Sequence, residues 1–178
     1  MAQAKRKKRF FDVEIPLIDK ETKLIAYEIG ELDGRSMKYD LTRMLRGKGL
    51  MLTSKVSVKE GKATASPREI KLMPYFLKRM VRKGTNYVED SFSVECKDGK
   101  LKMKPFLVTR RKVPRSVRKT LREKAKEELT NYAKDKDYSE IFKEVLSNKL
   151  QKELSLKLKK TYPLSLCEIR VLKVEKQK

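Results

Sequence analysis

Histidine and tryptophan are both absent from this chain of 178 residues. Without histidine the commonest general base and the commonest metal ligand are missing. Cys96 and Cys167 are the two cysteines, far apart and in no Cys-x-x-Cys pair, so they supply neither a zinc site nor a disulfide framework. No Gly-x-x-x-x-Gly-Lys-Ser/Thr segment occurs, nor a Gly-x-Gly-x-x-Gly. No apolar run approaches the roughly 18 residues that a spanning helix needs. Met1-Ala2-Gln3-Ala4-Lys5 leads into basic residues rather than an apolar signal core, so secretion is not expected and a reducing cytoplasm is. Acid is scarce as well, with 24 Asp and Glu against 46 Lys and Arg. The best carboxylate clusters, Glu89-Asp90, Glu127-Glu128 and the Asp135/Asp137 pair, read as solvated faces and helix-end charges. No catalytic residue, metal ligand or cofactor is assigned.

What is present is positive charge. The formal net charge is +22, with 39% hydrophobic and 39% charged residues, enough apolar material to fold while the excess charge stays outside. In the run from Thr109 to Arg122, seven of fourteen residues are Lys or Arg and none is Asp or Glu: Arg110, Arg111, Lys112, Arg115, Arg118, Lys119 and Arg122. Such a run repels itself in a free monomer. Opposite a polyanion it becomes a source of affinity, because each neutralised phosphate releases condensed counterions. Nucleic acid is the expected partner, and a membrane is not.

The chain is punctuated in an orderly way. Lys5, Arg6, Lys7, Lys8 and Arg9 close a basic segment, residues 1–9, with no apolar anchor; it is expected to be disordered when free and to order on RNA. From Phe10 to Leu72 short strands are expected. Phe11, Val13 and Ile15 alternate with Asp12 and Glu14; Leu24–Ile29, Ser36–Leu41, Leu50–Val58 and Ala63–Leu72 follow, with turns at Asp33-Gly34, Gly47-Lys48-Gly49 and Glu60-Gly61. Met73, Phe76, Leu77, Met80 and Val81 then follow helical spacing, with Pro74 at the start and Gly84 as a C-terminal cap. Tyr87–Lys97 and Lys100–Thr109 flank Asp98-Gly99, whose two residues suit the central positions of a tight hairpin turn. Lys100, Lys102 and Lys104 share one face of the second strand, expected to be wet or to meet phosphate.

Pro114 opens a helix to about Ala133, with Val117, Leu121, Ala125, Leu129 and Tyr132 as its apolar stripe and Arg115, Lys119, Arg122 and Lys126 opposite. Asp137-Tyr138-Ser139-Glu140 resembles a capping box for one further helix that buries Ile141, Phe142, Val145, Leu146, Leu150, Leu154 and Leu158 before Pro163 stops it. Leu164–Val174 returns to strand alternation and is expected to pair back with the β-rich N-terminal half. The fold class is α+β, a mainly antiparallel β-rich body with a short inserted helix, two C-terminal helices and a closing C-terminal strand, and residues 10–178 form one domain.

Arg46-Gly47-Lys48-Gly49 offers glycines through which backbone amides can approach a phosphate. The one-sign stripe on the helix from Pro114 is the more specific signal, since a merely solvated face mixes signs. Zinc fingers, leucine-zipper heptads, a clear helix-turn-helix and the aromatic signature of the RNA-recognition motif are all missing. With aromatics at 7%, recognition of folded RNA through phosphates and shape is the expectation.

Several landmarks together resemble the archaeal and eukaryotic small-subunit ribosomal proteins of the S-three-a (S-one-e) family. Lys8-Arg9-Phe10-Phe11-Asp12-Val13-Glu14-Ile15-Pro16 is similar to its opening motif, and Gly34-Arg35 before Ser36–Leu41 to its next landmark. Lys97-Asp98-Gly99 followed by Pro105-Phe106-Leu107-Val108-Thr109-Arg110-Arg111-Lys112 resembles its middle, and Tyr162-Pro163-Leu164 with Ile169-Arg170 its closing strand. Phe10 stands where a Trp is common, the loop around Leu17–Glu31 looks short, and no acidic C-terminal extension is seen, which favours an archaeal or reduced form. The resemblance implies a barrel-like body packed by helices. It also implies a non-enzymatic constituent of the cytoplasmic small ribosomal subunit, on its platform near the mRNA exit, touching small-subunit rRNA and neighbouring ribosomal proteins, and not a homo-oligomer. Arg35, Arg43, Arg46 and Lys48 join the cations named above as expected RNA contacts. A free RNA-binding factor in rRNA maturation or translation regulation is the alternative, and a DNA-compacting protein a third class.

Overall fold

The structure, a computed structural model, describes residues 7–175. The chain runs β1 (Arg9–Ile15), β2 (Lys20–Ala26), a 3-10 turn (Ile29–Leu32), β3 (Ser36–Asp40), β4 (Leu50–Lys59) and β5 (Lys62–Leu72). It continues through α1 (Pro74–Met80), β6 (Tyr87–Glu89), β7 (Phe92–Cys96) and β8 (Gly99–Thr109), then α2 (Arg115–Lys134), α3 (Tyr138–Leu146), α4 (Lys149–Lys159) and β9 (Leu164–Val174). The α+β class follows directly. Two compact units emerge: residues up to Tyr39 with Leu52–Arg68, and Asp40–Met51 with everything from Glu69 onward. The β4 and β5 strands each contribute residues to both units.

In the first unit the strand order is β2-β1-β5-β4-β3. Alternation drives it. Val13 and Ile15 of β1, Ala63 and Ala65 of β5, and Leu52 and Val56 of β4 are buried, while Asp12, Glu14 and Lys55 between them face out. The β1–β2 hairpin is antiparallel, with Arg9 opposite Ala26 and Ile15 opposite Lys20. The contact of β1 with β5 is the parallel exception, with Val13 opposite Ala63. Asp33 accepts a hydrogen bond from the Val58 amide at 3.2 Å, tying the chain after the 3-10 turn to β4. Arg9, expected within the disordered basic segment, instead pairs in β1; Lys7 and Lys8 are exposed, and residues 1–6, with Lys5 and Arg6, lie outside the described residues.

The second unit is organised by β9. It pairs antiparallel with β8 along nearly its whole length, from Thr109 opposite Leu164 to Leu101 opposite Val174, and on its other side with the end of β5, Glu69 opposite Lys173 through Lys71 opposite Val171. The last strand thus returns to a strand of the N-terminal half, as its alternation implies. On one face Ile70, Leu172, Met103 and Phe92 form a buried row across four strands. The apolar stripe of α2 (Leu121, Ala125, Leu129, Ala133) is buried, with α2 packing on β6 and β7 and α3 and α4 on β9. Neither unit's ladder closes on itself, so the barrel-like expectation gives way to open sheet: β2 and β3 end the first ladder, and β6 ends the second.

Several local expectations are corrected: α1 ends at Met80 with Val81 rather than Gly84 at its C-cap, and the strand expected over Leu24–Ile29 is Lys20–Ala26. The helix expected to run from Ile141 to Leu158 breaks at Ser147-Asn148, where Asn148 takes a left-handed φ of 59° that asparagine tolerates better than most residues. The sequence from Tyr87 to Lys97 is two strands, interrupted at Asp90-Ser91 by the Asp90 carboxylate accepting from the Ser91 amide at 2.8 Å. The hairpin places Lys97 and Asp98 at its tip, since Cys96 pairs with Gly99, and only Gly99 of the two expected turn residues has positive φ. Asp137 sits at the α3 N-cap without a side-chain cap hydrogen bond, so the capping box does not form.

A polar cluster fastens α2 to α3 and α4. Glu144, only 7% exposed, accepts from Tyr132 Oη and Lys136 Nζ at 2.6 Å each, with Lys149 at 3.5 Å. Burial opposes its charge, but those donors outweigh it and hold the carboxyl below its ordinary value. Burial and the bond to Glu144 push the Tyr132 hydroxyl up to about 12, so it stays a donor at neutral pH.

Candidate nucleic-acid interface

The positive run begins where β8 ends. Thr109 is fully buried, and its hydroxyl accepts from the Asn86 amide at 3.0 Å while facing the carbonyls of Asn86 at 3.0 Å and Arg111 at 2.7 Å. Asn86 also accepts at its side-chain oxygen from the Val113 amide at 2.9 Å. Through these bonds the turn before β6 fixes residues 109–113, so Arg110, Arg111 and Lys112 project from an anchored backbone and are all exposed. Asn86 was not singled out by sequence, nor was its bond to Thr109, because a bond between residues 23 apart leaves no local pattern.

Pro114 then serves as the N-cap of α2. Arg115, Arg118, Lys119 and Arg122 recur at helical spacing and extend about 10 Å along the axis. They line a groove of about 860 Å³ together with Tyr87, Glu89, Val81, Thr85 and Asn86. Arg115, Lys119 and Arg122 are exposed. The Nε of Arg118 is buried and has no hydrogen-bond partner. Acid near this row is limited: Lys119 and Glu123 approach only to 3.9 Å, and Glu89 is engaged by Arg170 at 2.8 Å. Lys126 departs from the row, its ammonium 5.9 Å from the Phe92 ring centre. A helical row of guanidinium and ammonium groups can bind successive phosphates, and an anchored backbone lowers the entropy lost in doing so.

The cations expected around the glycine-rich turn separate into two kinds. Lys48 turns inward, donating to Glu168 at 2.6 Å and to the Asn148 side chain at 2.7 Å, with 11% of its own side chain and 12% of that of Glu168 exposed. Its charge is neutralised inside the protein. The amides of Gly47 and Lys48 are also engaged, by the carbonyls of Thr42 and Leu45 at 2.9 and 3.1 Å, so this turn offers no open cradle for a phosphate. A Cβ at Gly49 would meet the Tyr75 hydroxyl at 2.3 Å, so a larger residue there would have to displace that ring. Arg43 and Arg46 are exposed. In the first unit Arg35 donates to the Ile25 carbonyl at 2.9 Å and remains exposed, and the Lys8 ammonium lies 5.5 Å from the Tyr27 ring centre.

The lysine face of β8 is mixed in sign. Lys102 and Lys104 share a shallow surface with Lys71, Arg170 and Lys173, but also with Glu69, Glu89 and Asp90. Burial first, and an adjacent carboxylate second, push the thiols of Cys96 and Cys167 up to about 11 and about 12, so both are protonated at neutral pH. Among the described residues no group of acidic, cysteine or histidine side chains could hold a metal, and no helix is long and apolar enough to cross a membrane.

Comparison with known proteins adds a second line of support. The model of the ribosomal S3Ae family matches residues 3–178. A small ribosomal subunit protein eS1 of Methanothermobacter thermautotrophicus is 35% identical over 95 residues, 53% of this chain and 49% of that protein. The protein of the same name from Pyrobaculum neutrophilum is 29% identical over 138 residues, 76% of this chain and 62% of that one. That from Nanoarchaeum equitans is 24% identical over 181 residues, 96% of this chain and 90% of its own. The matched region thus spans about half to nine-tenths of these relatives.

The inward and outward cations should respond differently to removal. Lys48→Met leaves the Glu168 carboxylate buried and unpaired, and urea unfolding should show a loss of about 3–5 kcal/mol. Arg115→Gln removes an exposed charge with no protein partner and should stay within about 0.5 kcal/mol. Equal effects would mean that Lys48 is not the structural cation of the pair.

Proposed function

The chain belongs to the ribosomal S3Ae family, and on that premise we propose that it is a structural constituent of the small ribosomal subunit in the cytoplasm. It binds folded rRNA through phosphates and shape, lies on the platform near the mRNA exit beside neighbouring ribosomal proteins, and acts as a single copy without catalysis. One observation supports this above the rest: the run from Arg110 to Arg122 is presented by a hydrogen-bonded anchor and a helix, with little acid to neutralise it. A one-sign surface that the fold takes trouble to hold in place is difficult to explain as mere solubility.

The proposed RNA contacts are Arg110, Arg111, Lys112, Arg115, Arg118, Lys119 and Arg122, with Lys7, Lys8, Arg9, Arg35, Arg43 and Arg46 as further phosphate ligands, all exposed except the half-buried Arg118. Lys5 and Arg6 complete the set by charge alone. Residues 10–178 act as one domain in this reading, because β4 and β5 each run through both units and a cut between the units would sever both strands. A single cooperative melting transition is the corresponding check, and two separated transitions would refute it.

Salt dependence tests the RNA surface. With about 6–10 phosphates contacted, affinity for small-subunit rRNA should fall by ~10³–10⁵ between about 50 and 200 mM salt. Replacing Arg110, Arg111, Arg115, Arg118 and Arg122 with Gln should flatten that slope by several charges. A slope identical to that of the wild type would remove the segment from the interface.

A further inference from the structure

The groove beside α2 has more than phosphate ligands. Tyr87 stands on β6, the strand that ends the second unit's ladder, with its ring stacked on Phe106 at a centroid distance of 5.9 Å and an interplanar angle of 21°. Its residue is nevertheless 54% exposed, so one face is supported from beneath and the other is open. The same lining holds Arg118, half-buried on α2, with the exposed Arg115, Lys119 and Arg122 around it. An open aromatic face and a row of cations, Arg115, Arg118, Lys119 and Arg122, thus line the same groove.

We propose that this groove binds an unpaired nucleotide of RNA, with the base stacked on Tyr87 and the phosphate on Arg118 flanked by Arg115 and Lys119. The proposal rests on the RNA reading above and specifies what one part of that surface recognises. A base-paired stem offers phosphates to the row but keeps its bases stacked within the helix, so it cannot cover Tyr87. An acidic peptide could satisfy Arg118, but its successive carboxylates would meet Glu89 and Glu123 in the same lining. One nucleotide joins a single anionic phosphate to a neutral aromatic base, which matches a groove that is cationic along the helix and aromatic at the strand. The supported ring is also preorganised, since Phe106 is buried and fixes the plane on which a base would stack.

The test uses the full chain with two labelled RNAs, a short single-stranded oligouridylate and a base-paired stem carrying the same number of phosphates. Tyr87→Leu should weaken binding of the single strand by roughly tenfold or more while leaving the stem within about twofold, and Tyr87→Phe should retain the single strand. Unchanged melting of both variants excludes unfolding as the cause. If Tyr87→Leu binds the single strand as the wild type does, or loses both RNAs equally, the groove proposal falls and the phosphate surface stands. If the wild type binds neither RNA, both readings fall. Displacement of the bound single strand by polyglutamate as readily as by unlabelled oligouridylate would overturn the nucleotide in favour of an acidic polypeptide.

Discussion

The pairing of β8 with β9 is the interaction on which the second unit depends. Among the described residues β9 is the strand that lies between the end of β5 and β8, and it satisfies the backbone groups on their facing edges. It also supplies the surface against which α3 and α4 pack, and Ile169 and Leu172 are buried there. On its far edge β8 pairs with β6, immediately after Asn86. Asn86 and Thr109 then fix the chain that carries Arg110, Arg111 and Lys112. The position of the basic run is therefore a consequence of a strand some fifty residues further along the chain.

Charge is the second constraint. A net +22 opposes compaction, and the fold neutralises only selected cations. Lys48 is used to close a pair with Glu168, and Lys136 to close the Tyr132–Glu144 cluster, both where partial burial strengthens the interaction. The cations of α2 are treated differently. They stand in a helical row with few partners, and one of them, Arg118, is partly desolvated with its Nε unsatisfied. Cations of the same type thus have separate roles, decided by which carboxylates the topology brings near them.

Much of this was legible in sequence, and the limits have physical causes. Period-two alternation marked β1, β4, β5, β8 and β9, and the helical spacing of Leu121, Ala125 and Leu129 marked α2. The break between α3 and α4 was hidden because Phe142, Leu146, Leu150, Leu154 and Leu158 keep an unbroken four-residue spacing through it; only Ser147-Asn148 signals the interruption. The inward turn of Lys48 could not be read at all, since Glu168 lies 120 residues away and contact between them is created by the fold. Arg110 to Arg122 were legible as a charge run. The groove that Arg115, Arg118, Lys119 and Arg122 share with Tyr87 was not, because it depends on β6 and α2 meeting in space.

The most direct measurement is co-sedimentation of the tagged chain with small ribosomal subunits, run beside the variant in which Arg110, Arg111, Arg115, Arg118 and Arg122 are Gln. The wild type should travel with the small-subunit peak through a moderate-salt wash, while the variant, folded by circular dichroism and melting, should remain at the top of the gradient. A wild type that stays at the top, or a variant that sediments equally well with the subunits, would contradict the claim that this anchored positive surface holds the protein in the particle.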